Sequence, residues 1–355
     1  MDSSTVDEAS VLARFDNLVG EGTVMYAEDM EKIYHEDGGF KFEFRITAAL
    51  KSKPAAVGHN AELDNAKAGA DGDPGSPTTA TATATPDGQP PHGIEFDADG
   101  RIPGGDISIE GYEIGPVRDT HVLAFNKFCA YRPHLLLMTA DGRRRQFEAL
   151  DGADLAAARE VLVALDGHGG ATARGRREYL VIYNCGKNGG CSRLHKHMQV
   201  IPAPEAIPMW PDTADSEGSA AAAAAAAGEG QEPPFRYLIH RFAGSSSGDE
   251  VGGMPSADDL ATAYQRMLRQ ATELIPGRDA VVEDDEDGKE VAVPHNVILG
   301  RRWMVVVPRV TDGVDGAGVN AAGMLGVVWA SEVGTVEKWK RLGPRRVLRE
   351  VGVRN

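Results

Sequence analysis

The chain has 355 residues, 42% hydrophobic and 25% charged, a balance that fits one large globular domain or two smaller ones. A formal net charge of −16 repels polyanions, so no nucleic-acid partner is expected, and no apolar run is long enough to predict a membrane span. Cys129, Cys185 and Cys191 form no C-x-x-C pair, and the acidic N-terminus lacks an apolar signal core. Together they predict a reducing, cytoplasmic setting, with neither a disulfide framework nor a zinc site.

Residues 55–93, with "AGADGDPGSPTTATATATPDGQPP", hold almost nothing apolar to bury, which predicts a disordered insertion. "HVLAFNKF" and "HLLLMT", linked around Pro133, read as neighbouring strands. "DGADLAAAREVLVALDG" places Leu155, Leu162 and Leu165 on one helical stripe. "YLVIYN" is a strand that runs into a glycine-rich loop, "CGKNGGCSR", and then into a second strand carrying His195, His197 and Gln199. Over 211–234 the Ala220–Ala227 run is too short to hold a helix by itself, and a loop is expected. Shorter loops follow at "GSSSGDEVGG" and "EDDEDGKE". From Ser256, which with Asp259 resembles a capping box, a helix is predicted with Leu260, Tyr264, Met267, Ala271 and Leu274 on one face. "HNVILGRRWMVVVPR" reads as a hairpin turning at Gly300, with Trp303 in its core, and "SEVGTVEKWKRL" as a last helix. Strands and helices mix without a βαβ rhythm, so the predicted class is α+β with a largely antiparallel sheet flanked by helices.

Alternation along a strand puts His195, His197 and Gln199 on one face and Lys196, Met198 and Val200 on the other. Glycines at 186, 189 and 190 allow backbone N–H groups to gather round an oxyanion. The expected picture is a turn around a phosphoryl group, with two imidazoles and an amide aimed at it. Imidazole is a competent nucleophile toward phosphorus near neutral pH, and a neighbouring ring or carbonyl can fix its tautomer. The same His-x-His spacing also suits a metal pair or a plain polar face. The arginine clusters "GRRRQ" and "RGRR" read as solvated surface or as a source of positive potential near a cleft.

The stretch "YNCGKNGGCSRLHKHMQVIPAP" resembles the signature of the diadenosine tetraphosphate phosphorylases (ATP adenylyltransferases), a branch of the histidine-triad superfamily. Tyr183, Asn184, Gly186, Gly190, Ser192, His195, Lys196, His197 and Gln199 fill the pattern, and four more blocks follow the family's order: 42–54, 119–139, 295–309 and 319–330. The resemblance implies a histidine-triad-like fold, with residues 1–205 as the part carrying the motif, 206–234 as a low-complexity loop and 235–355 completing the same fold and the nucleotide cleft. It implies His197 as the nucleophile, with His195 and Gln199 beside it. Lys53, Asn126, Lys127, Asn184, Gly190, Cys191, Ser192, Arg193 and Asn296 would lie at or near the nucleotide. Arg193 departs from the family's usual glutamine. The implied partners are small molecules (a dinucleoside polyphosphate, ATP, ADP and phosphate), with no tightly bound cofactor, no protein-held metal, and Mg2+ travelling with the polyphosphate. A hexose-1-phosphate uridylyltransferase relative and an inactive nucleotide-binding module remain open at this point, and nothing in the sequence sets the oligomeric state.

Overall fold

The apolar runs meet in one eight-stranded sheet in which every neighbouring pair is antiparallel. The structure is a computed structural model that describes residues 6–52, 93–165, 177–213, 232–242, 253–278, 280–284 and 290–355. Lys53, nearly all of the 55–93 insertion, the Ala220–Ala227 run and most of both shorter loops lie outside the described residues.

The chain opens with helix α1 (Glu8–Gly20) and a hairpin of β1 (Glu31–Asp37) and β2 (Phe40–Ile46). Strands β3 (Glu113–Val117), β4 (His121–Phe125) and β5 (Leu135–Thr139) follow, then α2 (Gly152–Leu165), β6 (Tyr179–Cys185) and β7 (His197–Pro202). Next come the short α3 (Trp210–Thr213), β8 (Leu238–Arg241), the long α4 (Ala257–Leu274) and the ribbon β9 (Val282–Asp284) and β10 (Glu290–Ala292). The rest comprises β11 (His295–Leu299), β12 (Trp303–Pro308), the small pair β13 (Gly313–Val314) and β14 (Ala317–Gly318), α5 (Ala321–Met324), β15 (Val327–Ala330), α6 (Val333–Leu342) and α7 (Pro344–Val351).

The large sheet runs β3-β4-β5-β7-β6-β11-β12-β8, and β15 joins β2 in parallel in a separate sheet, β1-β2-β15. Strands β4, β5, β6, β11 and β12 are buried at every position, because both sheet faces are covered. One face packs against α1, α2 and α4 through Phe15, Leu162 and Met267. The other packs against the small sheet and the C-terminal helices through Phe42, Phe44, Trp339 and Leu348. Helix α4 begins as its sequence predicts, with the Ser256 hydroxyl accepting the Asp259 N–H at 3.1 Å. Leu260, Tyr264, Met267 and Ala271 are buried along it. Trp303 is 1% exposed, a core residue.

On β7, Met198 and Val200 enter the helix-side core and Ile201 the opposite one, so His197 and Gln199 share Ile201's face. Lys196 points to the helix side. Its Nζ lies 2.7 Å from the Asp154 carboxylate in the first turn of α2 and donates to the Ala149 carbonyl at 2.7 Å. Asp154 also accepts from His121 Nε2 at 3.0 Å and from the Asp151 N–H at 2.7 Å. The middle residue of the His-Lys-His tripeptide thus fastens the strand to a helix from behind. Burial pushes the Asp154 carboxyl upward, but His121 and Lys196 outweigh it and hold the group well below the ordinary carboxylate value. A depressed pKa contributes stability above the unfolded value of about 3.9, and that contribution is lost on acidification. Asp154→Ala leaves the buried Lys196 with Glu148, 3.9 Å away, as its remaining carboxylate partner and is expected to cost about 3 to 5 kcal/mol in urea unfolding at neutral pH. Below about pH 4 the gap between the variant and the parent chain narrows. A cost under about 1 kcal/mol would show that this ion pair does not anchor the strand.

Candidate active site

His197 opens β7 and is 7% exposed. Its Nδ1 lies 2.7 Å from the His195 carbonyl oxygen. A carbonyl can only accept, so the proton resides on Nδ1 and the lone pair on Nε2. This arrangement leaves one ring nitrogen nucleophilic and gives the ring a fixed orientation.

Strand alternation predicts two imidazoles at the phosphoryl group, but the structure presents one. The His195 ring is completely buried, and its Nε2 donates to the Thr139 carbonyl at 2.9 Å. Its Nδ1 faces Gly105, where a Cβ would come within 2.6 Å. Burial lowers its pKa, so the ring is neutral. His195 serves His197 through its carbonyl rather than its ring.

Gln199 is oriented by a residue that the sequence left unplaced. Its Oε1 accepts from His134 Nε2 at 2.8 Å, while the Ala130 N–H reaches His134 Nδ1 at 3.4 Å. The Ala130 contact makes Nδ1 the acceptor and Nε2 the donor, so the Gln199 NH2 group is the end turned away from His134 and available to an anion. Asn126 lies beside the same ring, with its amide nitrogen 3.5 Å from the acceptor Nδ1 of His134 and its Oδ1 accepting the Phe128 N–H. Tyr131 and Trp329 flank His134 at 5.8 and 5.2 Å between ring centres. Lys127, next to Asn126, is exposed.

The loop between β6 and β7 turns on Gly190, at φ +85°, where a Cβ would lie 2.4 Å from the Val319 carbonyl. Only glycine fits there. The Gly190 and Cys191 N–H groups, expected to line the phosphate cradle, instead close the loop on itself through Lys187 O (2.8 Å) and Gly186 O (3.3 Å). The Ser192 N–H and hydroxyl have no hydrogen-bond partner among the described residues and are the donors this loop offers. Arg193 folds its guanidinium back to the Ser192 carbonyl at 3.0 Å. Burial pushes the Cys191 thiol up to about 12 and raises Cys185 as well, so both stay protonated packing groups.

Asn184 and Asn296 act on the loop from beneath. Asn184 Oδ1 accepts from Asn296 Nδ2 at 3.0 Å and from the Ala321 N–H at 2.8 Å. Asn296 Nδ2 also donates to the Gly189 carbonyl at 2.7 Å. Two further residues carry no mark in the sequence pattern of the motif. Gln146 lies at the end of an arginine cluster read as solvated, yet it is 2% exposed. Its Oε1 accepts the His197 N–H at 2.7 Å, and its Nε2 donates to the carbonyls of His197 (2.9 Å) and Asn184 (3.1 Å). The Asp106 carboxylate accepts the N–H groups of Leu194 and His195 at 2.9 and 2.8 Å. The signal for Asp106 was the glycine pair before it, which permits close approach to His195; nothing local marked Gln146. Clefts of about 550 and 530 Å³ lie beside Arg118 and Arg144, and neither is lined by His197 or Gln199. His197 and Gln199 lie instead on the sheet face they share with Ile201.

The chain is thus an α+β protein whose antiparallel sheet presents one oriented imidazole and one amide beside a glycine-turned loop. Residues 112–211 match the model of the Ap4A phosphorylase N-terminal domain, and residues 231–354 that of the ATP adenylyltransferase C-terminal domain. These regions together cover more than half of the chain, which belongs to the Ap4A phosphorylase (ATP adenylyltransferase) family. Diadenosine 5',5'''-P1,P4-tetraphosphate phosphorylase 2 of Saccharomyces cerevisiae is 28% identical over 187 residues, 53% of this chain and 54% of that relative. The match thus spans about half the relative's length. The crystal structure of yeast Ap4A phosphorylase Apa2 shares the fold at 19% identity, covering 98% of this chain and 97% of that one with a TM-score of 0.65. Apa2 in complex with Ap4A superposes with a TM-score of 0.63, also at 19% identity, over 98% of each chain.

Gln146→Leu leaves the His197 N–H and two buried carbonyls without partners. It is expected to destabilise the protein by about 2 to 4 kcal/mol in chemical denaturation. Below about 1 kcal/mol, the three bonds would not be what holds β7 against β6.

Proposed function

We propose that this chain catalyses the reversible phosphorolysis of diadenosine tetraphosphate to ATP and ADP, with His197 carrying the adenylyl group between half-reactions. The bond from His197 Nδ1 to the His195 carbonyl carries this reading, because it makes Nε2 a nucleophile in a fixed orientation. Family membership and the names of the yeast relatives, one of them crystallised with Ap4A, support the choice of substrate.

In the first half-reaction Nε2 attacks the phosphorus next to one adenosine. An N–P bond forms, the bridging P–O bond breaks, and ATP departs with that electron pair. The ring keeps its Nδ1 proton, and the His195 carbonyl stabilises the positive charge on the adenylylated imidazole. The Gln199 amide and the Ser192 donors offset charge growing on the phosphoryl oxygens. In the second half-reaction an orthophosphate oxygen attacks the same phosphorus, the N–P bond breaks, and ADP leaves with the imidazole restored. Orthophosphate is already anionic and needs no base, whereas water would need one that an amide at position 199 cannot supply. That difference accounts for phosphorolysis in preference to hydrolysis.

Among the described residues no three His, Cys, Asp or Glu side chains converge on a metal position, and we place Mg2+ on the polyphosphate itself. No helix among the described residues is long and apolar enough to cross a membrane, and three free thiols suit the reducing cytosol we propose as its compartment.

Product analysis tests the reading. ATP plus ADP should appear from Ap4A only when orthophosphate is supplied, and mass spectrometry should find an AMP adduct on His197. The adduct should be absent in His197→Ala, and Gln199→Ala should turn over roughly a hundredfold more slowly. Turnover of UDP-sugars in place of Ap4A, or an unimpaired His197→Ala enzyme, would sink the assignment.

A further inference from the structure

Arg309, the residue just beyond β12, plays no part in the reaction as described. It is 1% exposed, and each of its five N–H donors has an oxygen partner. Nε donates to Val351 O at 3.2 Å, one terminal nitrogen to Asn296 Oδ1 at 2.6 Å and Gly189 O at 3.5 Å, and the other to Thr311 O at 2.9 Å and Val319 O at 3.0 Å. All five acceptors are carbonyl or amide oxygens. Among the described residues no carboxylate lies within ion-pair distance of it. A buried cation without a carboxylate in contact is costly; fixed dipoles surround this one, with the charge of Asp312 acting from farther away.

Its position gives that cost a purpose. Gly189 is bonded both to Arg309 and to Asn296, which Arg309 also holds. Val319 O, bonded to Arg309, is the atom against which Gly190 packs too closely for any Cβ. Three independent contacts therefore mould the loop preceding Ser192 around one guanidinium. Burial draws the Arg309 pKa down to about 9, opposed by Asp312, so the cation persists at neutral pH.

We propose that Arg309 is a positioning residue for the nucleotide's phosphate: from beneath the loop Gly189–Ser192 it sets the backbone and supplies positive potential without touching the substrate. The inference rests on the function proposed above, in that it takes this loop to hold a phosphoryl group.

The test compares AMP with adenosine in calorimetric titrations of the full chain, because a merely structural role would weaken both alike. Arg309→Gln removes the charge, and Arg309→Lys keeps it while losing most of the five bonds. The parent chain should prefer AMP. In Arg309→Gln that preference should fall roughly tenfold at unchanged adenosine affinity, with a smaller fall in Arg309→Lys. An Arg309→Gln protein with the parental AMP-to-adenosine ratio would overturn the proposal and leave the proposed function intact. A parent chain indifferent to the phosphate would overturn both. Should both variants fail to fold by near-ultraviolet circular dichroism, Asn296→Asp decides: it retains Arg309 and gives it an adjacent carboxylate. A reduced AMP preference there supports the proposal, and an unchanged one overturns it.

Discussion

A single hydrogen bond, from His197 Nδ1 to the carbonyl two residues earlier, sets the demands on everything around it. It forms only if the backbone at His195 and His197 is held in one shape just where β7 begins. The structure meets that demand from several directions. Asp106 fixes the N–H of His195, Gln146 fixes both backbone groups of His197, and Lys196 ties the strand to α2. None of these side chains needs to meet substrate. They make one tautomer and one ring orientation the resting state, so little reorganisation remains for the reaction itself.

The same division recurs around the loop. Ser192 presents its donors outward, while Gly190, Asn184, Asn296 and Arg309 hold the loop from within the protein. Residues that the family resemblance places near the nucleotide therefore fall into two groups. Gln199 and Ser192 present polar groups to the site, whereas Asn184 and Asn296 bond chiefly to the protein. The His195 ring belongs with the second group despite its place in the motif.

Much of the fold was legible because its signals are local. Apolar runs bounded by Gly and Pro gave β4, β5, β11 and β12, periodicity gave α2 and α4, and alternation gave the face that His197 shares with Gln199. The alternating phenylalanines of β2 were equally regular, yet their parallel partner β15 lies far along the chain, so the separate mixed sheet could not be inferred. In the site, the motif marked His197 and Gln199, while Gln146, Asp106, His134 and Arg309 were hidden. Each acts through the fold rather than through neighbours in sequence, and a glutamine after three arginines has no periodicity to betray its burial. The fate of individual loop amides was equally out of reach, because it depends on φ at two glycines.

The sheet order places β6 between β7, its sequence neighbour, and β11, more than a hundred residues later. During synthesis the histidine strand leaves the ribosome well before the residues that fasten the loop beside it. Closing such distant contacts is slow relative to forming helices and hairpins. The loop beside the histidine strand therefore takes its final shape only once Asn296, Arg309 and Val319 have been added to the chain.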